Sequence, residues 1–454
     1  MSLLSRITAP PAHHDVARLV ATLLTHRQGA RRPAPQALPG TTPRPAGTAL
    51  PTGPTGLGTS AARLAATGKA GDAWRAGKSG EASRAGKPEA VGKAREAKET
   101  GRAAGKPAAG TPGTPGIAGA SAASGASGAA SDGRGTGVPE LYCPPALRDD
   151  PALAREVNDR LVDWADEAGI YDGRLDRVRA ADFGRLMMLA HPDGDDPDRL
   201  LAAGKCALAE WATDDYYCDD ETMGSRTDLL GSHLGLAYTA LDPSHLPARY
   251  APAWEEEMRQ DPVRVALRSG LDHLSRYAEP SQVARLRHEV AVLFVGYEQE
   301  GSWRSRGRMP GVREYLAHRQ INSFLPCIAL TDVVGGYALP ASAYAEPRVR
   351  RAVTMAATAA TLVNDLYSMT KEHDSSGVEF NLPVVIAEED GCSLREAIER
   401  SAEIHDELVR TYETEAAALA LTGTPELRRF LAGVWAWLGG NREWHAGSPR
   451  YNGA

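Results

Sequence analysis

The stretch "MAATAATLVNDLYSMTKE", residues 355–372, decides the fold class and points to a site. Small or apolar residues fill it up to residue 363, and Asn364, Ser368 and Glu372 then follow at intervals of four. Because an α-helix turns once every 3.6 residues, side chains four apart lie on one face. The segment therefore predicts a helix that carries an amide, a hydroxyl and a carboxylate in one column.

Three oxygen-bearing side chains in a column suit a small, hard divalent cation, which prefers carboxylate, amide and hydroxyl oxygens. The other interpretation is a solvated helix face on which the spacing has no function. The spacing of Asn364, Ser368 and Glu372 leaves both interpretations open.

A second acidic group is "DDYYCDDE", residues 214–221. Asp215 and Asp219 are four apart and share a helix face, while Asp214 lies toward the apolar side, near Trp211. Like charges at such spacing repel, and the interleaved aromatic residues and cysteine indicate partial burial, which strengthens the repulsion. A bound cation would remove the conflict; the alternative is an acidic helix end.

The helical period dominates the chain from residue 150 onward. We find no convincing alternating strand and no Gly-rich phosphate loop after a strand, so the predicted fold class is all-α. The segments predicted to be helical are 150–170, 196–221, 281–305, 311–334, 346–372, 393–420 and 424–446.

The N-terminal third has a different composition. Residues 27–138 consist mostly of Gly, Ala, Pro, Ser and Thr and bear 16 Lys and Arg against 6 Asp and Glu. Such a segment cannot bury enough apolar surface to fold, so we expect residues 1–138 to be a disordered extension. This basic segment is either a solvated linker or a weak contact for an anionic partner or membrane surface. Residues 139–454 form the expected folded domain and carry a net charge of −18, which argues against a nucleic-acid groove.

The cysteine content and the lengths of the apolar runs indicate the cellular compartment. Five cysteines show no CxxC pairing, and an odd count favours a reducing compartment, so we expect a cytoplasmic protein. The N-terminus is a poor signal peptide, and no run of about 18 apolar residues predicts a membrane span.

Together, the two oxygen-rich motifs in an all-α domain resemble those of the class I terpene cyclases. Arg319 lies 45 residues before Asn364, where the family has a diphosphate-sensing arginine, and "SPRY" supplies the family's Arg450–Tyr451 pair. Among family members, "LYCPPALRDD", "DDYYCDDE" and "NDLYSMTKE" are most similar to actinobacterial 2-methylisoborneol synthases, as is the long Pro/Ala/Gly-rich extension. The resemblance implies a class I terpenoid synthase helical bundle across residues 139–454.

The resemblance also implies a reaction and a site. The enzyme would be a lyase that converts 2-methylgeranyl diphosphate and water to 2-methylisoborneol and diphosphate by ionisation, cyclisation and water quenching. It would bind three Mg²⁺ ions. The implied catalytic metal ligands are Asp214, Asn364, Ser368 and Glu372, with Asp215 and Asp219 nearby; the implied diphosphate ligands are Arg319, Lys371, Arg450 and Tyr451.

Aromatic faces can stabilise a carbocation without attacking it. The candidates for such a wall are Trp211, Phe324, Tyr337 and Trp435, for each of which core packing is the alternative. One departure from the family is Asn322–Ser323, which replaces an Asp–Gly pair and puts the coupling of this segment to diphosphate in doubt. The sequence does not show which residue places the water.

The sequence is compatible with three alternative functions. A sesquiterpene or geosmin-type cyclase would share the fold but use farnesyl diphosphate, and pocket volume would decide between them. A prenyl-chain elongating enzyme fits less well, because such enzymes carry two aspartate-rich motifs. An acidic helical interaction protein would be no enzyme at all. For a cyclase we expect a small-molecule partner, no nucleic acid, no stable membrane insertion and a possible homodimer.

Overall fold

The computed structural model describes residues 137–219, 225–372 and 380–448. Across these residues every regular element is a helix and no strand occurs, so the all-α prediction is confirmed. In chain order the α-helices are α1 (Pro151–Ala168), α2 (Leu175–Ala181), α3 (Phe183–Ala190), α4 (Pro197–Asp214), α5 (Leu230–Leu241), α6 (Ala251–Arg259), α7 (Pro262–Leu274), α8 (Pro280–Ser305), α9 (Val312–His318), α10 (Leu325–Ile328), α11 (Thr331–Val334), α12 (Ala341–Tyr344), α13 (Pro347–Glu372), α14 (Leu382–Asp390), α15 (Leu394–Thr422) and α16 (Pro425–Gly447).

Some of the predicted features lie outside the described residues. These are the extension at 1–138, apart from its last two residues, and the predicted diphosphate ligands Arg450 and Tyr451. For Asp219, Lys371 and Glu372 only the backbone is described.

Local signals set the ends of the helices. Asp150 caps α1 by accepting a hydrogen bond from the backbone N–H of Leu153, and Pro151 occupies the first turn, where no N–H is needed. Gly169 ends the helix at a φ of 76°, a conformation that glycine adopts without strain. The helix lies within the predicted segment 150–170.

Helix α13 is the element that carries the proposed ligands, and it packs against both α15 and α16. Its residues Ala356, Ala359 and Ala360 are fully buried. Short side chains let neighbouring helix backbones approach closely, so the middle of α13 lies deep in the bundle, and Asn364 and Ser368 follow it toward the C-terminal end.

A second close contact joins α16 to α3. A Cβ on Gly440 would lie 2.5 Å from the backbone carbonyl carbon of Leu189, so these two helices meet backbone to backbone. On its other side α3 approaches α1, where Gly184 faces the backbone of Asn158. The two glycines therefore set the depth at which α16 lies in the bundle.

The prediction of one helix over residues 311–334 is wrong. The structure has three short helices there, α9, α10 and α11, and α9 ends with Arg319 as its C-cap. Pro326 lies in the first turn of α10, the one place where a helix tolerates proline without losing a hydrogen bond. The helical period continued through this segment, but the proline and the turn at residues 319–324 interrupt the backbone.

Within the described residues, no helix is both long enough and apolar enough to cross a membrane.

The α16–α3 contact generates a stability prediction. Gly440→Ala should lower the free energy of unfolding by about 1–3 kcal/mol, because the added methyl group presses on the backbone of α3. Gly235→Ala in α5 is the control, since a Cβ there meets nothing within 4 Å, and it should be neutral or stabilising by up to about 1 kcal/mol. Urea unfolding followed by circular dichroism measures both, and equal stabilities of the two variants would contradict the packing account.

Candidate active site

The aspartate-rich segment lies at the C-terminal end of α4. Asp214 is the last residue of α4 and is half-buried; residues Asp215–Asp219 continue as a π-helix. The predicted α-helix over 196–221 therefore ends earlier than expected. Helical segments of this wide type are often found at functional sites. The carboxylate of Asp215 accepts a hydrogen bond from the Tyr171 hydroxyl at 2.6 Å, which ties it to the end of α1.

The oxygen column lies near the C-terminal end of α13. Asn364, Ser368 and Glu372 all belong to this one uninterrupted helix, as the spacing predicted. Asn364 and Ser368 are half-buried, and the Asn364 amide nitrogen lies 3.3 Å from His445 Nε2 on α16. The backbone thus places the three residues on one face of the helix, and Asn364 and Ser368 lie at the edge of the packed core.

Arg319 lies against α13, next to this column. Its guanidinium donates to Asp365 Oδ1 at 2.5 Å and to the Tyr315 hydroxyl at 2.8 Å, and all three residues are buried. Burial alone would lower the pKa of Arg319, but the charge of Asp365 outweighs it and holds the pKa well above its usual value. The arginine is therefore a permanent cation, and it is paired with the residue that follows Asn364 on α13.

A second polar network connects Arg319 to the aspartate-rich segment. Glu300 on α8 accepts hydrogen bonds from Arg304 at 3.0 Å and from Asn322 at 3.1 Å, and His318 Nε2 lies 3.4 Å away. Burial raises the pKa of Glu300, but His318 and the charges of Arg319 and Arg304 outweigh it and lower the pKa to about 2. Because Arg304 also donates to the Cys218 carbonyl at 2.9 Å, this network spans from the π-helix to the turn after Arg319.

An aromatic cluster lies between the two motifs. The Phe324 ring is 5.4 Å from Trp211, which precedes Asp214 by one turn, and 5.3 Å from Trp437 on α16. It is also 6.1 Å from His445, the neighbour of Asn364. The structure therefore connects the end of α4 to the column of α13 through one cluster of aromatic side chains.

Two of the four predicted wall aromatics belong elsewhere. Tyr337 lies against the guanidinium of Arg429 at 4.1 Å, and Trp435 stacks on Tyr412 with ring centroids 6.3 Å apart. Trp435 precedes Trp437 by two residues, so the helical twist turns it to the other side of α16. Of the four predicted aromatic residues, Trp211 and Phe324 contact each other.

Sequence reasoning missed a column on α16. Trp437, Asn441 and His445 are spaced by four in "WLGGNREWH", the same spacing that singled out Asn364 and Ser368. All three are fully buried, with Trp437 and His445 in the aromatic cluster. The same periodicity test, applied to α16, could have found them.

The donors at this end of the bundle fit a hard cation. Among the described residues no group of three or more His, Cys, Asp or Glu side chains converges on a point. The predicted set instead mixes carboxylate, amide and hydroxyl oxygens, which suits Mg²⁺ better than a soft metal. Asp214, Asn364 and Ser368 are each half-buried, so their oxygens are within reach of both protein and solvent.

A separate cavity of about 620 Å³ lies between α4, α6 and α7. Its lining includes Lys205, His273 and Arg268, the last of which pairs with Glu255 at 2.7 Å. None of the predicted site residues lines it. The cavity is therefore separate from the aromatic cluster and its two flanking motifs.

Comparisons with known proteins identify the family. Residues 205–411 match the family described as terpene synthase family 2, C-terminal metal binding. A 2-methylisoborneol synthase from Streptomyces ambofaciens is 45% identical over 322 residues, which is 70% of this chain and 72% of the relative. Another, from Saccharopolyspora erythraea, is 41% identical over 325 residues, which is 70% of this chain and 91% of the relative.

A solved structure agrees with these sequences. The crystal structure of 2-methylisoborneol synthase from Streptomyces coelicolor A3(2) in complex with Mg²⁺ and geranyl-S-thiolodiphosphate has a TM-score of 0.64 and 43% identity, covering 69% of this chain and 97% of that one. The chain belongs to the class I terpene synthase family. It is thus an enzyme, not an acidic interaction protein, and within the family it is similar to the 2-methylisoborneol synthases.

A buried carboxyl group beneath the cluster generates a pH prediction. Burial raises the pKa of Glu210 on α4 to about 8, and the hydrogen bond from the Cys327 thiol offsets this only in part. Because the folded-state pKa is raised, the stability linked to Glu210 is present at acidic pH and is lost as the pH rises through about 8.

The free energy of unfolding of the wild type should therefore fall, relative to Glu210→Gln, by about 1.4 kcal/mol per pH unit between the ordinary carboxyl pKa and pH 8. Glu399→Gln, at an exposed position on α15, is the control and should run parallel to the wild type. Denaturant unfolding at several pH values from 5 to 9 measures the difference. A constant gap between wild type and Glu210→Gln would rule out a neutral Glu210.

Proposed function

We propose that this terpene cyclase uses Mg²⁺ to convert 2-methylgeranyl diphosphate and water to 2-methylisoborneol and diphosphate. One observation carries the proposal: the aspartate-rich end of α4 and the Asn364 column flank a single aromatic cluster. The similarity of the chain to 2-methylisoborneol synthases, at 41–46% identity, supports this substrate over a longer one.

The ligands proposed for Mg²⁺ are Asp214 on α4 and Asn364, Ser368 and Glu372 on α13. Bound Mg²⁺ would neutralise charge on the departing diphosphate, which ionisation in an apolar pocket requires. Asp215 is proposed to support the site indirectly, because its carboxylate already accepts the Tyr171 hydroxyl. Asp219 stays a predicted ligand on sequence alone, and so does the ion count of three.

Arg319, Lys371, Arg450 and Tyr451 are the proposed hydrogen-bond donors to the diphosphate. Arg319 is suited to this role because Asp365 and Tyr315 fix its position while keeping it charged. A guanidinium has five N–H donors, and these two contacts use two of them. The fork geometry of arginine matches the paired oxygens of a phosphate group.

The aromatic cluster would shield the cation formed after ionisation. Trp211, Phe324 and Trp437 present ring faces and edges that stabilise positive charge and offer no nucleophile. Glu210, which precedes Trp211 on α4, is neutral near pH 7 because burial raises its pKa to about 8, so it adds no negative charge beside the cluster.

The two aspartates at the end of α4 should respond differently to mutation. Asp214→Asn should lower kcat/KM by about a hundredfold or more, because it removes a proposed metal ligand. Asp215→Asn keeps an oxygen that accepts the Tyr171 hydroxyl, so its loss should stay within about tenfold. Rates of diphosphate release at several Mg²⁺ concentrations measure both, and equal losses would contradict the separate roles.

The substrate assignment is tested by gas chromatography–mass spectrometry of products from geranyl, 2-methylgeranyl and farnesyl diphosphate with Mg²⁺. The proposal expects a C11 alcohol from the methylated substrate as the main product. Products mainly from farnesyl diphosphate would favour the sesquiterpene or geosmin-type alternative. That result would leave the fold and the metal site standing, while the assigned substrate would be wrong.

A further inference from the structure

The column on α16 contains two buried polar atoms that stand out. Trp437 Nε1 and Asn441 Oδ1 have no hydrogen-bond partner among the described residues, although both side chains are fully buried. The other end of the same amide is satisfied, since Asn441 Nδ2 donates to the Ala360 carbonyl at 3.0 Å. A buried donor or acceptor without a partner costs about 1–3 kcal/mol, so native proteins normally supply one, often a water.

These two atoms belong to neighbouring residues on one helix face. Trp437 and Asn441 are four residues apart, which brings their Cβ atoms to about 6 Å. One supplies an N–H donor and the other a carbonyl acceptor. Such a pair matches a water molecule, which can accept from the first and donate to the second.

The position of the pair follows from the rings around it. The Phe324 centroid lies 5.3 Å from Trp437 and 6.1 Å from His445, which are eight residues apart on α16. The Phe324 ring therefore lies across the middle of the column, at the level of Asn441. Asn441 also touches α13 at Ala360, one turn before Asn364. The pair thus lies at the floor of the aromatic cluster, one turn below the proposed metal site.

Another polar group beside Phe324, the Thr361 hydroxyl, already has its partners. The Thr361 hydroxyl donates to the Ala357 carbonyl at 2.8 Å and accepts the Phe324 N–H at 3.2 Å. Its hydrogen is used within its own helix, so it cannot orient a water by donation. Trp437 and Asn441, by contrast, offer a donor and an acceptor without a partner among the described residues.

We infer that Trp437 Nε1–H and Asn441 Oδ1 hold one water molecule, and that this water quenches the final carbocation. The inference rests on the proposed function. The water would accept from Trp437 with one lone pair and donate one hydrogen to Asn441, which leaves the second lone pair for the cation. A C–O bond forms from that lone pair, an O–H bond of the resulting oxonium breaks, and the proton passes to the diphosphate released in the first step.

Trp437 and Asn441 are positioning residues, so the experiment measures the ratio of alcohol to hydrocarbon products as well as the reaction rate. Trp437→Phe keeps an aromatic ring but removes the N–H, and Asn441→Leu removes the amide at similar size. Trp435→Phe is the matched control, because Trp435 lies on the same helix but stacks on Tyr412, away from Phe324. Each full-length variant receives 2-methylgeranyl diphosphate and Mg²⁺; the measurements are the alcohol-to-hydrocarbon ratio, the rate of diphosphate release and the melting temperature.

The inference expects the alcohol-to-hydrocarbon ratio to fall about tenfold in Trp437→Phe and in Asn441→Leu. The ratio is taken per diphosphate released, so a slower variant does not imitate the loss of the water. Trp435→Phe should keep the wild-type ratio. If Asn441→Leu does not fold, Trp437→Phe alone decides. An unchanged ratio in Trp437→Phe, with the wild type still making the alcohol, overturns the inference and leaves the proposed function intact. No diphosphate release by the wild type overturns both.

Discussion

The buried ion pair between Arg319 and Asp365 is the constraint on which the site depends. Asp365 is fully buried, and its two oxygens accept from Arg319, Tyr315 and the backbone N–H of Leu382. Removing one partner of such a pair typically costs about 3–5 kcal/mol, because the other charge is left buried and uncompensated. The pair fixes the rotation of α13, so Asn364, one residue earlier and about 100° away, is aimed toward α16.

Two buried glutamates, Glu300 and Glu210, differ in charge because their surroundings differ. Glu300 lies among His318, Arg304 and Arg319 and is held ionised, which ties the turn after Arg319 to the π-helix. Glu210 lies among apolar groups beside Cys327, where burial raises its pKa to about 8 and keeps it neutral. Fixed charges therefore collect in the network that joins the two motifs, and the wall of the aromatic cluster stays uncharged. That distribution suits an enzyme whose intermediate is a cation.

The sequence predicted the positions of the helices well, but it did not predict which helix faces pack against one another. Periodicity shows which residues share a helix face, so the column of Asn364 and Ser368 could be predicted from their spacing alone. Periodicity does not report which helix that face contacts. The sequence therefore predicts Trp435 as part of the aromatic wall, whereas in the structure Trp435 stacks on Tyr412 and Trp437, two residues on, contacts Phe324. The turn at residues 319–324 could not be predicted either, because Asn322 and Phe324 in it bond to Glu300 and Thr361, which are distant in sequence.

The most direct test of the account is a crystal structure of the protein with Mg²⁺ and inorganic diphosphate. The account predicts Mg²⁺ on Asp214 and on the Asn364, Ser368 and Glu372 oxygens, with the diphosphate between them and in contact with Arg319. It would be contradicted by diphosphate bound in the cationic cavity beside Lys205 and Arg268, with no metal at the two motifs.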